Sequence, residues 1–303
     1  MTVLKTTNLT KTFGEFTALD GVNIEVKKGE VYGFIGPNGS GKSTTLRVLL
    51  GILKATGGSA EIFGKDSWKE AVEIHKRVAY VPGDVNLWPN LTGGEVIDLF
   101  VNLRGGTSLE RREELIQKFD LDPTKKCRTY SKGNRQKVAL IAAFSSDVDL
   151  YILDEPTSGL DPLMERVFQE YVLEAKQQGK SILLSSHILS EVEKLCDKVA
   201  IIREGKIIET GSLQELRHLT GIVMLVETKE PITDLAALNG VSGIQQKGNG
   251  WSFQVETKEV DRVIRYLSQF GVTRIESSPP TLEELFMRHY EGTDKIAGAG
   301  GEF

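Results

Sequence analysis

Cysteine is scarce in this sequence. Cys127 and Cys196 are the two in 303 residues, they lie far apart, and their surroundings lack metal-ligand spacing. That argues against a cysteine-based metal centre; either could be a reactive thiol, but a buried or bystander cysteine is the better reading. Long apolar runs are missing too. The best, VALIAAF from Val138 to Phe144, falls far short of the roughly 18 residues that cross a bilayer. The opening MTVLKTTNLTKTF has no apolar signal core. Nor is there an excess of positive charge: 37 Lys and Arg face 42 Asp and Glu, a net charge of -5 at pH 7. A nucleic-acid platform needs a clustered basic face, so no nucleic-acid partner is expected. Together these absences predict a cytoplasmic chain whose membrane role, if it has one, is peripheral.

What remains is the composition of a globular protein, 40% hydrophobic and 26% charged. The length suggests one large domain and one small. Residues up to about Lys28 read as short strands, with VNIEV (22–26) alternating apolar and polar. VYGFIG (31–36) is a continuous apolar strand ending in glycine. A helix is expected from Lys42 to about Leu53, with Leu46, Leu49, Leu50 and Leu53 on one face. The stretch from Asp84 to Phe144 reads as mostly helical, broken by Pro89, Pro123 and several glycines. LYILD (150–154) and SILLSS (181–186) are short buried strands. Such strands alternating with helices imply an α/β fold with a parallel sheet covered on both faces.

Near Thr220 the texture changes. IVMLVET (222–228), a short helix over 232–238, two strands flanking Asn249-Gly250, a helix through Val260, Val263, Ile264 and Leu267, and VTRIES (272–277) follow in turn. That β-α-β-β-α-β order is ferredoxin-like, and Asn-Gly favours a two-residue hairpin turn. TLEELFMRHY reads as a final helix. The expected division is therefore 1–219, 220–290 and a flexible tail, 291–303.

The chemistry concentrates in three places. GPNGSGKST, comprising Gly36, Pro37, Asn38, Gly39, Ser40, Gly41, Lys42, Ser43 and Thr44, matches G-x-x-x-x-G-K-[ST] between a buried strand and a helix. Its glycines let backbone N–H groups aim at phosphate oxygens, and the helix N-terminus adds its positive dipole end. Lys42 is expected on the β- and γ-phosphates, Ser43 on Mg²⁺ and Thr44 on a phosphate oxygen. Second, Asp154 and Glu155 end an apolar strand and point different ways. Asp154 suits the magnesium shell. Glu155 suits a general base that polarises the attacking water. Third, His187 ends the next apolar strand, where a hydrogen bond could position both phosphate and water.

In this order the pieces resemble the ABC ATPase family over about residues 2–219, a P-loop cassette with a parallel core sheet, an antiparallel β subdomain and a helical signature subdomain. The resemblance implies ATP and Mg²⁺ as ligands and a second cassette packed head to tail. It implies that Phe13 stacks on adenine. It makes YSKGNRQK (130–137) the signature that meets the ATP of the opposite subunit through Ser131, Lys132, Gly133 and Asn134. TSGLD (157–161) becomes the loop whose Asp161 reaches across the dimer. Ser131 also reads directly as a helix N-cap, giving with the Gly133 N–H a second anion site.

Three departures from the family pattern stand out. Lys132 replaces the usual glycine and Asn134 the usual glutamine. After Pro82, Gly83 and Asp84 stand where a glutamine is usual. Asp84 is therefore a candidate magnesium ligand or, equally, the cap of a turn. The signature, the small second domain and PTLEELFMRHY resemble ATPases paired with ABC-2-type permeases, which export drugs, antibiotics, lipids or polysaccharides. The chain is thus expected at the cytoplasmic face of the membrane. Two rival readings are a regulatory cassette that barely hydrolyses ATP and a soluble translation or DNA-repair ATPase. Intact Lys42, Asp154, Glu155 and His187 argue against the first. A single phosphate loop, without long coiled coils or zinc sites, argues against the second.

Overall fold

The computed structural model describes residues 1–104, 109–218, 221–248 and 250–278. The expected helix TLEELFMRHY and the tail lie outside them. The chain divides into two compact units, Met1–Thr210 and Gly211–Phe303.

The first unit opens with two long strands, β1 (Thr2–Phe13) and β2 (Phe16–Lys27), where only short ones were expected. They pair antiparallel, and several register shifts let twelve residues each stay paired through the bend. Next come β3 (Val31–Ile35), α1 (Lys42–Leu49), β4 (Gly57–Ile62) and β5 (Lys65–Asp66). α2 (Ala71–His75), β6 (Val78–Val81), α3 (Gly93–Leu103), α4 (Leu109–Lys118) and α5 (Lys132–Phe144) follow. The unit continues with β7 (Leu150–Asp154), α6 (Pro162–Gln177), β8 (Ser181–Ser186), α7 (Leu189–Leu195) and β9 (Lys198–Arg203). β10 (Lys206–Ser212) leads into the second unit. α1 ends earlier than the leucine spacing predicts, because Gly51, at φ +64°, turns the chain away just after Leu50.

Two sheets result. One is ordered β2-β1-β4-β5; the other, of six strands, is ordered β10-β9-β3-β8-β7-β6. The pairs β9–β3, β3–β8, β8–β7 and β7–β6 are parallel. Every residue of β3, β7 and β8 is buried, as expected of strands sandwiched on both faces. Register matters most for function. Ile35 pairs with Ser186, and Asp154 with Ser185. Three adjacent strands therefore end at one level, and Gly36, Glu155 and His187 emerge together at their C-terminal edge, where parallel sheets hold ligands.

The second unit contains α8 (Leu213–His218), β11 (Ile222–Thr228), β12 (Val241–Lys247), β13 (Gly250–Val255), α9 (Val260–Leu267) and β14 (Val272–Ser278). Its antiparallel sheet runs β12-β13-β11-β14. Its own core gathers Met224, Val226, Phe253, Val255, Val263 and Leu267. The first helix of the expected pattern is only a 3₁₀ turn, Leu235–Ala237. Asp234, in the left-handed region at φ +52°, interrupts any longer helix, and only Leu235 of the turn is buried. The hairpin also differs. Lys247 pairs with Gly250, so the reversal begins at Gly248, whose φ is +60°, one residue before the Asn-Gly dipeptide.

Candidate functional site

The loop between β3 and α1 wraps around the Lys42 ammonium. Nζ donates to the carbonyls of Gly36 at 2.6 Å and Pro37 at 3.2 Å, and the side chain is buried. Two glycines make this curl possible. A Cβ on Gly36 would stand 2.3 Å from the Ile202 carbonyl oxygen and 2.6 Å from Ser40 Oγ. Gly41, which caps α1 at φ +114°, has Leu19 Cδ2 2.8 Å from where a Cβ would be. Asn38 and Gly39 are exposed at the tip of the loop. Ser40 Oγ is buried without a hydrogen-bond partner. Among the described residues the Ser43 and Thr44 hydroxyls, half-buried in the first turn of α1, also lack protein partners.

Glu155 sits opposite. It adopts φ +47°, a left-handed conformation that costs a non-glycine residue on the order of 1 kcal/mol. Two contacts hold it there: its N–H donates to the Ser185 carbonyl at 3.0 Å, and its Oε1 lies 3.4 Å from Lys42 Nζ. Oε1 is buried and meets Lys42 as an ion pair rather than as a well-aligned hydrogen bond. Oε2 lies 2.5 Å from His187 Nδ1 and accepts from the His187 N–H at 3.4 Å. An ionised carboxylate only accepts, so Nδ1 is the donor. Asp154 is buried beneath, accepting from Ser185 Oγ at 2.5 Å. The neighbouring Tyr80 hydroxyl is pushed up to about 12, first by burial and then by the charge of Asp154. The structure thus brings Lys42, Asp154, Glu155 and His187 to one strand edge.

The other expected site residues sit apart from this cluster. Ser131 caps α5, accepting from the Asn134 N–H at 3.2 Å. Lys132 Nζ donates to Ser158 Oγ at 2.7 Å, and a Cβ on Gly133 would meet the Gly159 carbonyl oxygen at 2.5 Å. The signature turn is therefore docked on the 157–161 loop. Among the described residues no hydrogen bond or ion pair joins it to the Gly36–Thr44 loop. Asp161 caps α6, accepting from Leu163 N and Met164 N at 3.0 Å each, ahead of Pro162 in the first helical position. Phe13 is 47% exposed, with Lys11 Nζ 4.9 Å from its ring centroid. Gly83 lies against the catalytic edge, where a Cβ would come 3.2 Å from the Asp154 carbonyl oxygen and 3.4 Å from Glu155 Cβ. Asp84 is exposed and, among the described residues, caps no turn and belongs to no cluster of potential metal ligands.

Several contributors escape sequence reasoning. Ser185 supports both Asp154 and Glu155, and its signal is a serine in a wholly buried strand. Arg135 joins the Val85 carbonyl (3.2 Å) to that of Tyr130 (2.9 Å). Gln136 donates to the Pro156 carbonyl at 2.9 Å. Both connect the signature helix with segments beside the site.

Residues 19–158 match the family described as ABC transporter, and residues 211–290 match the C-terminal domain of ATP-binding proteins like DrrA1-3. The chain is 40% identical over 305 residues to the bacitracin transport ATP-binding protein BcrA of Bacillus licheniformis, covering 95% of this chain and 97% of that protein. It is 31% identical over 291 residues to the uncharacterized ABC transporter ATP-binding protein YhaQ of Bacillus subtilis, covering 92% and 96%. Among solved structures, an ATP-binding subunit of an ABC transporter superposes with a TM-score of 0.67 at 32% identity, over 72% of this chain and 92% of that one. The dimeric bacterial ABC transporter cassette MJ0796 gives 0.64 at 25% identity, over 69% and 98%.

Proposed function

The chain belongs to the family of ABC transporter ATP-binding proteins, whose members are ATPases, and from that membership we propose that it drives export through a separate ABC-2-type membrane permease. The observation that carries the reading is the meeting of Lys42, at the start of α1, with Glu155 and His187 at the C-terminal edge of three adjacent parallel strands. Lys42 leaves its carbonyl partners for the β- and γ-phosphates. Glu155 accepts a proton from the attacking water, and His187 orients the γ-phosphate and Glu155 together. Ser43 and Asp154 are hard oxygen donors suited to magnesium, and among the described residues Ser43 has no protein partner to give up. A bound Mg²⁺ would neutralise charge on the β- and γ-phosphate oxygens. Phe13 offers a half-exposed ring to the adenine. The Ser131–Asn134 turn, which among the described residues has no hydrogen bond or ion pair to its own phosphate loop, serves the ATP held by a second cassette.

Export of a peptide antibiotic or a similar amphipathic compound fits the full-length likeness to the bacitracin transport protein and the DrrA-like second unit. Among the described residues no helix is long and apolar enough to cross a membrane, and the transport path on this reading belongs to the permease. The subunit then works at the cytoplasmic face of the membrane. A docking place for that partner adjoins the site. An apolar cavity of about 100 Å³ lies between the 82–88 segment and the helices α3 and α5, lined by Tyr80, Leu87, Trp88, Phe100 and Ala142 among others. Trp88 is half exposed and its ring stands 6.0 Å from that of Phe100. One apolar side chain of the permease would fill such a cavity, and Gly83 places the same segment against Glu155. Affinity purification from detergent-solubilised membranes should recover a polytopic membrane protein with this subunit, and Trp88→Asp should lose it while still binding ATP. Unchanged recovery with Trp88→Asp would remove the cavity from the account.

Asp84 gives a sharper test of the metal. If it reaches a magnesium-bound water once nucleotide is present, Asp84→Ala raises the magnesium concentration needed for half-maximal hydrolysis about 10- to 100-fold, roughly the strength of one charged hydrogen bond. Overlapping magnesium titrations of the two proteins would end that role.

A further inference from the structure

Glu191 is a carboxylate that neither the phosphate cradle nor the hydrolytic pair uses. It lies in the first turn of α7, four residues after His187, and is 4% exposed. Its Oε2 accepts from Ser186 Oγ at 3.0 Å and, more weakly, from Thr157 Oγ1 at 3.4 Å. Its Oε1 is buried with no hydrogen-bond partner. The two donors flank the catalytic residues. Ser186 directly precedes His187, and its Oγ also accepts the N–H of Ile188 at 2.9 Å, so the serine brackets the histidine backbone on both sides. Thr157 opens the TSGLD loop, which follows Glu155 and carries the Lys132–Ser158 contact to the signature turn. The same loop begins with the Ser158 N–H donating to the Glu155 carbonyl at 3.1 Å.

We infer that Glu191 is a positioning residue that ties the His187 turn to the 157–161 loop, so that the histidine, the general base and the signature contact move as one unit during hydrolysis. This rests on the proposed roles of Glu155 and His187. The charge environment sharpens it. Among the described residues no cation pairs with Glu191, and the titratable groups facing it are Glu155 at the end of β7, Glu165 on α6, and Cys196 at the end of its own helix. Burial first, then the like charges of Glu165 and Glu155, push its carboxyl from 4.5 up to about 7. Near neutral pH the group therefore exists in both forms. Ionised, Oε2 receives two hydroxyl hydrogens. Protonated, the carboxyl loses the charge that strengthens both bonds, so a single proton loosens the tie.

The sign of the pH effect follows. The folded chain holds a proton on Glu191 that the unfolded chain has released, so its share of stability falls as pH rises from about 4.5 to about 7. Glu191→Gln keeps an acceptor oxygen and a neutral side chain at all pH values.

The experiment compares ATP turnover, ATP affinity and unfolding of the full-length wild type, Glu191→Gln, Glu191→Ala and, as reference, Glu155→Gln. Glu191→Ala should lower kcat about 10- to 100-fold, as small displacements of reacting groups do, with KM for ATP nearly unchanged. Glu191→Gln should recover most of that loss, flatten the slope of kcat through about pH 7, and remove the share of the unfolding-midpoint slope that Glu191 gives between about pH 4.5 and 7. Wild-type turnover in Glu191→Ala, or a Glu191→Gln protein that keeps the wild-type pH profile, would overturn the inference. Should Glu191→Ala fail to fold, the pH profile of Glu191→Gln decides alone. Inactive Glu155→Gln beside fully active Glu191→Ala would sink this inference only. An active Glu155→Gln would sink the reading of the site on which it rests.

Discussion

Replacing Lys42 with alanine is expected to weaken ATP binding by about 10- to 100-fold, the equivalent of roughly 1.5–3 kcal/mol for a lost hydrogen bond to a charged group. Three consequences of the structure combine in this substitution. The phosphates lose their cation. The loop loses the strap from Nζ to the Gly36 and Pro37 carbonyls that holds it curled before nucleotide arrives. Glu155 Oε1, which is buried and otherwise unpartnered, loses the ammonium 3.4 Å away. The last effect leaves a carboxylate desolvated without compensation, so the apoprotein should also unfold at a lower temperature. Lys42→Arg would not rescue it, because the guanidinium is larger and planar and the carbonyl cradle is shaped around a compact ammonium. Titration with a fluorescent ATP analogue and a thermal melt of the same samples check both parts. Unchanged affinity would remove the phosphate-cradle assignment.

Glu155→Gln should behave in the opposite sense. The amide is nearly isosteric, can still face His187 and Lys42, and leaves the binding loop intact, so ATP affinity is retained. Removing the base should reduce steady-state hydrolysis about 10²- to 10⁴-fold. The backbone should tolerate the change, because the N–H bond to Ser185, one of the two contacts that hold the left-handed conformation, does not involve the carboxylate, and the amide oxygen can still face Lys42. Turnover measured by phosphate release, with binding measured in parallel, distinguishes a lost base from a collapsed site. Wild-type turnover in this variant would mean that another group activates the water.

How far the sequence carries varies from element to element, for physical reasons. The Gly36–Thr44 loop was legible because its glycines answer steric demands, shown at Gly36 and Gly41, and because strand and helix flank it in the order the chemistry needs. Ser131 was legible as a cap because a serine before a helical run has a local hydrogen-bonding reason to be there. The meeting of Glu155 with His187 was expected only from adjacent strands, and the parallel register supplies it. Glu191 was not legible. A glutamate four residues after His187 in SHILSEVEKL looks like a solvated helix face, and only the fold reveals that this face is turned inward onto Thr157 and Ser186. Asp161 was expected to reach across a dimer, whereas in the single chain its carboxylate is occupied as the cap of α6, a local role that Asp before Pro already signals. In the second unit, an apolar period over 232–238 suggested a helix, but the segment is too short to repay helix nucleation and closes as one 3₁₀ turn.

The central claim is that ATP is bound between two cassettes, with the Ser131–Asn134 turn of one closing the Gly36–Thr44 loop of the other. Sedimentation velocity of the Glu155→Gln protein tests it most directly, because that variant binds ATP without consuming it. The account predicts a monomer without nucleotide or with ADP, a dimer with ATP, and a return to monomer when Ser131→Arg is added to block the second anion site. A Glu155→Gln protein that binds ATP tightly yet sediments as a monomer at every concentration, or a dimer indifferent to Ser131→Arg, would contradict it.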